Sequence, residues 1–132
     1  CYAKYHRWMT KQRVAVLGAS PKSDRASNKA INILLEKGYD VIPVHPAHDV
    51  IAGIPVTKEL STIDGQVDTL TIYVGPRRSE ELLDQIIALS PVRAIFNPGA
   101  ESNLVESRLN ENGILVIRAC TLVMLKSGRF GG

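Results

Sequence analysis

Cysteine is almost missing from this chain: Cys1 and Cys120 are the two in 132 residues. Thiols so far apart make neither a metal-ligand spacing nor a disulfide framework, so no metal site is expected and a reducing, cytoplasmic compartment is. Aromatic residues are also few, and the 16 Lys and Arg are scattered along the chain. A nucleic-acid surface needs its basic residues gathered into a stripe, so nucleic acid is not an expected partner despite a net charge of +3. No apolar run approaches the ~18 residues of a membrane helix, and the N-terminus lacks the apolar stretch of a signal peptide. A membrane partner is therefore not expected either.

No linker, low-complexity tract or internal repeat divides the sequence, which reads as a single domain over 12–132 preceded by an extension at 1–11. A chain of this length buries roughly two-thirds of its unfolded surface. Residues 1–8 (CYAKYHRW) look foreign to the pattern that follows, and Met9 stands where a native start would fall. The expectation there is a leader or cloning remnant, with no functional weight on Tyr2, His6 or Trp8.

What is present is a regular alternation. Short apolar runs without polar alternation at Val14–Leu17, Val41–Val44, Thr69–Val74, Ala94–Phe96 and Leu115–Ile117 read as strands covered on both faces. Between them, Ser27–Lys37 sets Ala30, Ile31, Leu34 and Leu35 on one helical face, stopped by Gly38. Glu80–Leu89 does the same with Leu82, Leu83, Ile86 and Ile87, with Ser79 as a candidate N-cap. Ser102–Asn112 buries Leu104, Val105 and Leu109, and Thr57–Thr62 reads as a short helical turn after the loop Pro46–Pro55. Strand and helix in alternation predict an α/β, Rossmann-like, doubly wound and mostly parallel five-stranded sheet with helices on both faces. Ligands of such sheets bind outside the carboxyl ends of the strands, where the strand order reverses.

The first strand runs straight into Gly18-Ala19-Ser20 and a helix from about Ser27. A tight turn into a helix aims backbone N–H groups and the positive end of the helix dipole at one spot, which suits a phosphate. Gly18 permits close backbone approach, Ser20 offers a hydroxyl, Lys22 and Arg25 offer positive charge, and Ser27 is a candidate cap. Two features of a dinucleotide site are missing. Gly18 is the sole glycine of the turn, so G-x-G-x-x-G is absent, and the second strand ends in Pro43-Val44-His45-Pro46 without an acid for a ribose hydroxyl.

The later strand ends supply further candidates. Tyr73, Val74 and Gly75 border the cleft after the third strand, with Tyr73 also readable as a packed strand residue and Arg77-Arg78 as a solvated helix start. After the fourth, Asn97 carries a side-chain amide and Gly99 permits close approach. Glu101 is either a general acid or base or a favourable acid at a helix start. Cys120 follows the fifth strand without a histidine at a recognisable spacing, so a small buried hydrophobe competes with a nucleophile. No catalytic residue is assigned; His45 reads as a ligand contact or an ordinary loop histidine.

GASPK after the first strand, PVHP after the second, IYVGP after the third, NPGAES after the fourth and the late Cys120 together resemble the small stand-alone coenzyme A-binding proteins. These are similar to the N-terminal CoA-binding domain of the succinyl-CoA synthetase alpha subunit. The resemblance runs from about Gln12 to Lys126. It implies that Gly18, Ala19, Ser20 and Lys22 meet the CoA pyrophosphate with Arg25, Ser27 and Asn28 close by. Pro43, Val44, His45 and Pro46 would flank the adenosine, Tyr73, Val74 and Gly75 would border the nucleotide, and Asn97, Pro98 and Gly99 would line the cleft further along. Two positions depart from the family pattern: His45 stands where Asn is common, and Arg118-Ala119 where Asp-Arg is common. The synthetase domain that carries the phosphorylated histidine has no counterpart in the sequence, so binding of CoA or an acyl-CoA without catalysis is the expectation. Two alternatives stay open: a small nicotinamide- or nucleotide-dependent oxidoreductase, and a partner module or homo-oligomer. The apolar tail Thr121–Leu125 either covers the sheet or forms such an interface.

Overall fold

The computed structural model describes residues 12–131; the extension at 1–11, with the leader or remnant expected at 1–8, lies outside the described residues. The order is β1 (Arg13–Leu17), α1 (Ala26–Glu36), β2 (Asp40–Val44), β3 (Val50–Ile51), β4 (Ile54–Pro55), a 3-10 turn (Leu60–Thr62), β5 (Thr69–Ile72), α2 (Pro76–Glu81), α3 (Leu83–Leu89), β6 (Arg93–Phe96), α4 (Asn103–Glu111), β7 (Leu115–Arg118) and α5 (Thr121–Lys126). Five strands form one sheet in the order β2-β1-β5-β6-β7, every neighbouring pair parallel. The order reverses beside β1: the chain winds outward to β2, then returns to β5 on the other side.

Two apolar layers hold helices to the sheet. On one face Val14, Val16 and Ile95 meet Ala30, Ile31 and Leu34 of α1, together with Leu125 of α5 and Phe130. On the other, Ala15, Leu17, Leu70 and Phe96 meet Leu82, Leu83, Ile86, Val105, Leu109 and Leu60. Ile31 and Leu34 are fully buried, each contributing about 1.5–3 kcal/mol by leaving water. Lys37 and Gly38 close α1, where Gly38 N and Tyr39 N donate to Leu35 O and Leu34 O, both at 3.0 Å.

Several local expectations need correction. The third strand ends at Ile72 rather than Val74, because its partner β1 turns away at Gly18 and Pro76 opens a helix four residues on. The helix expected at Glu80–Leu89 begins at Pro76 and breaks at Leu82 (φ −96°, ψ 5°) into α2 and α3. Ser79 is therefore no cap; it lies inside α2 and its hydroxyl donates to Pro76 O at 3.0 Å. Leu104 points outward, 52% exposed, since the face of α4 that meets the sheet carries Val105 and Leu109. The helical turn begins at Leu60, and Thr57 instead bridges Val44. The loop Pro46–Pro55 contains the small antiparallel pair β3-β4. Thr121–Leu125 forms most of α5 and packs on α1, which supports the sheet-covering alternative for that segment.

Candidate functional site

A cleft of about 900 Å³ opens at the carboxyl ends of β1, β2 and β5, where the strand order reverses. Its floor is the β1–α1 turn. Leu17 passes the chain to Gly18, whose N–H and that of Ala19 both donate to Val44 O, at 3.2 and 3.3 Å. Tyr73 N donates to Leu17 O at 2.9 Å, so the ends of all three strands are laced together under the cleft. Ser20 Oγ accepts from Lys22 N at 3.2 Å, and Asn28 Nδ2 donates to Ser20 O at 2.8 Å. That local network fixes the loop that carries Lys22 and Arg25.

Helix α1 starts without a side-chain cap. Arg25 takes the cap position in an extended conformation (φ −82°, ψ 143°), and Ser27 sits inside the first turn, buried. The expected Ser27 cap is thus absent, which leaves first-turn amides of an eleven-residue helix beside the cleft. Unsatisfied amides and the helix dipole together favour an anion there.

Cations surround the same opening: Lys22, Arg25, Lys58 and Arg78 all line it, with His45 and His48. Lys58 pairs with Asp49 at 2.8 Å, and Arg78 with Glu81 at 3.0 Å. Lys58 accordingly holds the Asp49 carboxyl below the ordinary carboxylate range. Among the described residues Lys22 and Arg25 form no ion pair, so the two cations on the turn are unspent. Apolar walls face them, from Val44 and Pro46 on the β2 side and from Val74, Leu82 and Leu60 on the other.

His45 stacks obliquely on His48, ring centroids 4.4 Å apart, and its Nδ1 accepts from Ala47 N at 2.9 Å. Burial, then the His48 and Lys58 charges, lower its pKa from 6.5. The folded protein thus binds this proton less readily than the unfolded chain does. Stability favoured by the neutral imidazole is present above about pH 6.5 and is lost as pH falls below it. Unfolding midpoints between pH 7.5 and 5.5 should therefore fall more steeply in wild type than in His45→Asn; equal slopes would show that His45 contributes nothing.

Of the residues the sequence singles out, Gly18, Ala19, Ser20, Lys22, Arg25, Ser27, Val44, His45, Pro46, Tyr73 and Val74 line this one cleft. Asn28 supports the turn from behind. Pro43 is buried in β2 and its carbonyl accepts from Thr57 N at 2.9 Å. Gly75 is the residue before α2, and Asn97, Pro98 and Gly99 lie away from the cleft lining. Asn97 is buried in a structural network, Pro98 and Gly99 are exposed, and Gly99 N donates to Glu101 Oε1 at 2.9 Å. Sequence reasoning missed His48, Lys58, Glu59, Leu60, Leu82 and Gln85 as cleft residues; Arg78, read as solvated, also lines it. Cys120 is half-buried at the start of α5 and outside the lining. Among the described residues there is no cluster of His, Cys, Asp or Glu able to hold a metal, and no helix long and apolar enough to cross a membrane.

Known proteins share this arrangement. The solved structure of an uncharacterized protein is 37% identical and superposes with a TM-score of 0.85, covering 92% of this chain and 99% of its own. The uncharacterized protein YneT of Bacillus subtilis is 37% identical over 71 residues, 54% of this chain, and the chain spans about half the length of that curated relative. At fold level only, the dinucleotide-forming acetyl-coenzyme A synthetase 1 of Ca. Korarchaeum cryptofilum matches with a TM-score of 0.69 at 21% identity, over 84% of this chain and 26% of the synthetase. The profile of a family described as "CoA binding domain" matches residues 12–126. Covering nearly all of the described sheet and its cleft, that match establishes that this chain belongs to the CoA binding domain family.

Proposed function

We propose that the chain binds coenzyme A or an acyl-CoA in this cleft, as a binding domain without catalysis of its own. The observation that carries the reading is the β1–α1 turn. Its uncapped helix start and its two cations, Lys22 and Arg25, unpaired among the described residues, face a cleft with apolar walls at the reversal of strand order. A diphosphate suits the turn, and less polar arms suit the walls. The residues fit such a ligand: Ser20 and the first-turn amides donate to phosphate oxygens, Lys22 and Arg25 balance their charge, and Val44, His45 and Pro46 flank the adenosine. On the lining, Ser20 Oγ accepts from Lys22 N and His45 Nδ1 from Ala47 N, engagements within their own loops that support binding over catalysis.

Thermal unfolding with CoA, acetyl-CoA, NAD, NADP and ADP in parallel tests the reading. A ligand at about 100 times its dissociation constant adds about 2.7 kcal/mol, a rise of several degrees for a domain of this size. CoA is expected to raise the midpoint and NAD to leave it unchanged. Lys22→Ala should weaken CoA roughly 10- to 100-fold, the range for losing a hydrogen bond to a charged group. Because Lys22 is exposed and unpaired, the ligand-free midpoint should not move. A rise with NAD alone would turn the assignment toward an oxidoreductase.

A further inference from the structure

Two buried side-chain atoms among the described residues have no hydrogen-bond partner, Gln85 Oε1 and Tyr73 Oη, and both residues line the cleft. Orphaned buried polar atoms are rare, and each invites an explanation, an unfilled ligand contact among them. They stand on opposite faces of the sheet. Tyr73 packs with the layer beneath α1 and α5, whereas Gln85 belongs to α3, between Leu83 and Ile86 of the other layer. The phosphate-type turn lines the same cleft as both. A ligand that satisfies both atoms has a charged centre and two arms that diverge over the strand ends.

The surroundings differ in kind. Tyr73 lies near a polar group, since Thr71 and Thr121 hydroxyls bond each other at 2.7 Å. Those two hydroxyls lie beside the phenol and hold it down, but burial outweighs them and pushes it up to about 12. Gln85 instead lines the cleft together with the apolar wall of Leu60, Val74 and Leu82. An acceptor set in an apolar wall asks for a flat, weakly polar group bearing an N–H donor on its edge. A phosphate fails that requirement, having no proton to donate at neutral pH and a high desolvation cost there. The terminal amide torsion of glutamine is soft, so the carbonyl turns toward a donor readily.

We propose that Gln85 is the base-reading residue of this site, its Oε1 accepting from the exocyclic amine of an adenine ring held between Val44 and Pro46 on one side and Leu82, Val74 and Leu60 on the other. The assignment rests on the CoA reading above and adds its selectivity: a purine bearing a 6-amino group, as distinct from any diphosphate.

Calorimetric titration of CoA and of an analogue with unsubstituted purine in place of adenine, on wild type and Gln85→Leu, is decisive. The analogue lacks the amine donor but keeps the ring nitrogens of adenine, so any N–H contact to those is common to both ligands and the difference between them reports the donor alone. Wild type should prefer CoA about tenfold, the scale of one hydrogen bond to an already buried acceptor. Gln85→Leu should bind the two equally, and its ligand-free unfolding midpoint should hold or rise, because an orphaned acceptor is gone. Equal affinity of wild type for both ligands would overturn the proposal, as would a preference kept by Gln85→Leu. An equal loss on both ligands in Gln85→Leu, with ADP affinity untouched, would also overturn it by placing Gln85 against an amide of the pantetheine arm. Failure of wild type to bind CoA at all would instead remove the CoA reading and this assignment with it, an outcome distinct from binding without base preference.

Discussion

Gly18→Ala is expected to lower stability by roughly 2–4 kcal/mol and to abolish ligand binding at concentrations that saturate wild type. Two costs add. The residue has φ +89°, in the region where a Cβ meets its own backbone, at about 1–2 kcal/mol for an L-residue. The added methyl would also stand 2.9 Å from Val74 Cγ1, 3.1 Å from Val74 N and 3.3 Å from Tyr73 C. The valine side chain is able to rotate, but the backbone atoms belong to the exit of β5, which is tied to β1 through Tyr73 N and Leu17 O. Relief therefore means prising apart the two strand ends that form the cleft floor. Gly53→Ala separates the costs, because Gly53 has φ +80° with nothing within 4 Å of the added methyl. That control should lose only about 1–2 kcal/mol and keep full CoA affinity. Thermal unfolding and titration of both variants measure this; a Gly18→Ala protein that melts and binds like the control would show that the turn tolerates a side chain.

The same residue explains why the floor of the site was legible in sequence. Val14–Leu17 is an unbroken apolar run because β1 is central and buried on both faces, and a glycine directly after such a run marks the turn. Thr69–Ile72 is buried too, despite its two threonines, whereas the edge strand β7 leaves Leu115 exposed. The far wall was less legible because its residues come from segments whose approach is decided by tertiary packing. Lys58, Glu59 and Leu60 belong to a crossover without strong periodicity, and nothing local brings them to the end of β2. Gln85 did carry a signal. Leu82, Ile86 and Leu89 share its helical stripe at i, i+3, i+4 and i+7 spacing, so a glutamine interrupts an otherwise apolar stripe. A polar residue on an apolar stripe marks either a buried network or an opening in the wall, and here it marks the opening. Asn97 shows the opposite outcome: a polar residue at a strand end, read from sequence as cleft lining, is occupied by the fold itself.

Asn97→Ala should accordingly cost about 3 kcal/mol, equivalent to a fall of about 10 °C in the unfolding midpoint, with CoA affinity changed less than twofold. Asn97 is 3% exposed, and its amide joins three elements. Its Nδ2 donates to Thr71 Oγ1 at 2.7 Å and to Ile72 O at 3.0 Å on β5, while its Oδ1 accepts from Thr121 N at 2.8 Å at the start of α5. Alanine leaves the Thr121 amide buried without a partner and opens a small void between β5, β6 and α5. Asn97→Asp sharpens the test by changing one atom in kind. The carboxylate still accepts from Thr121 N, but it faces the Ile72 carbonyl and is desolvated, so the folded state raises its pKa. Stability of that variant should improve as pH falls from 7 toward 4, where a protonated carboxyl donates as the amide did. The alanine variant has no such group and should show no gain of that kind. A CoA affinity that drops tenfold or more in either folded variant would return Asn97 to the ligand and move the far end of the site toward β6.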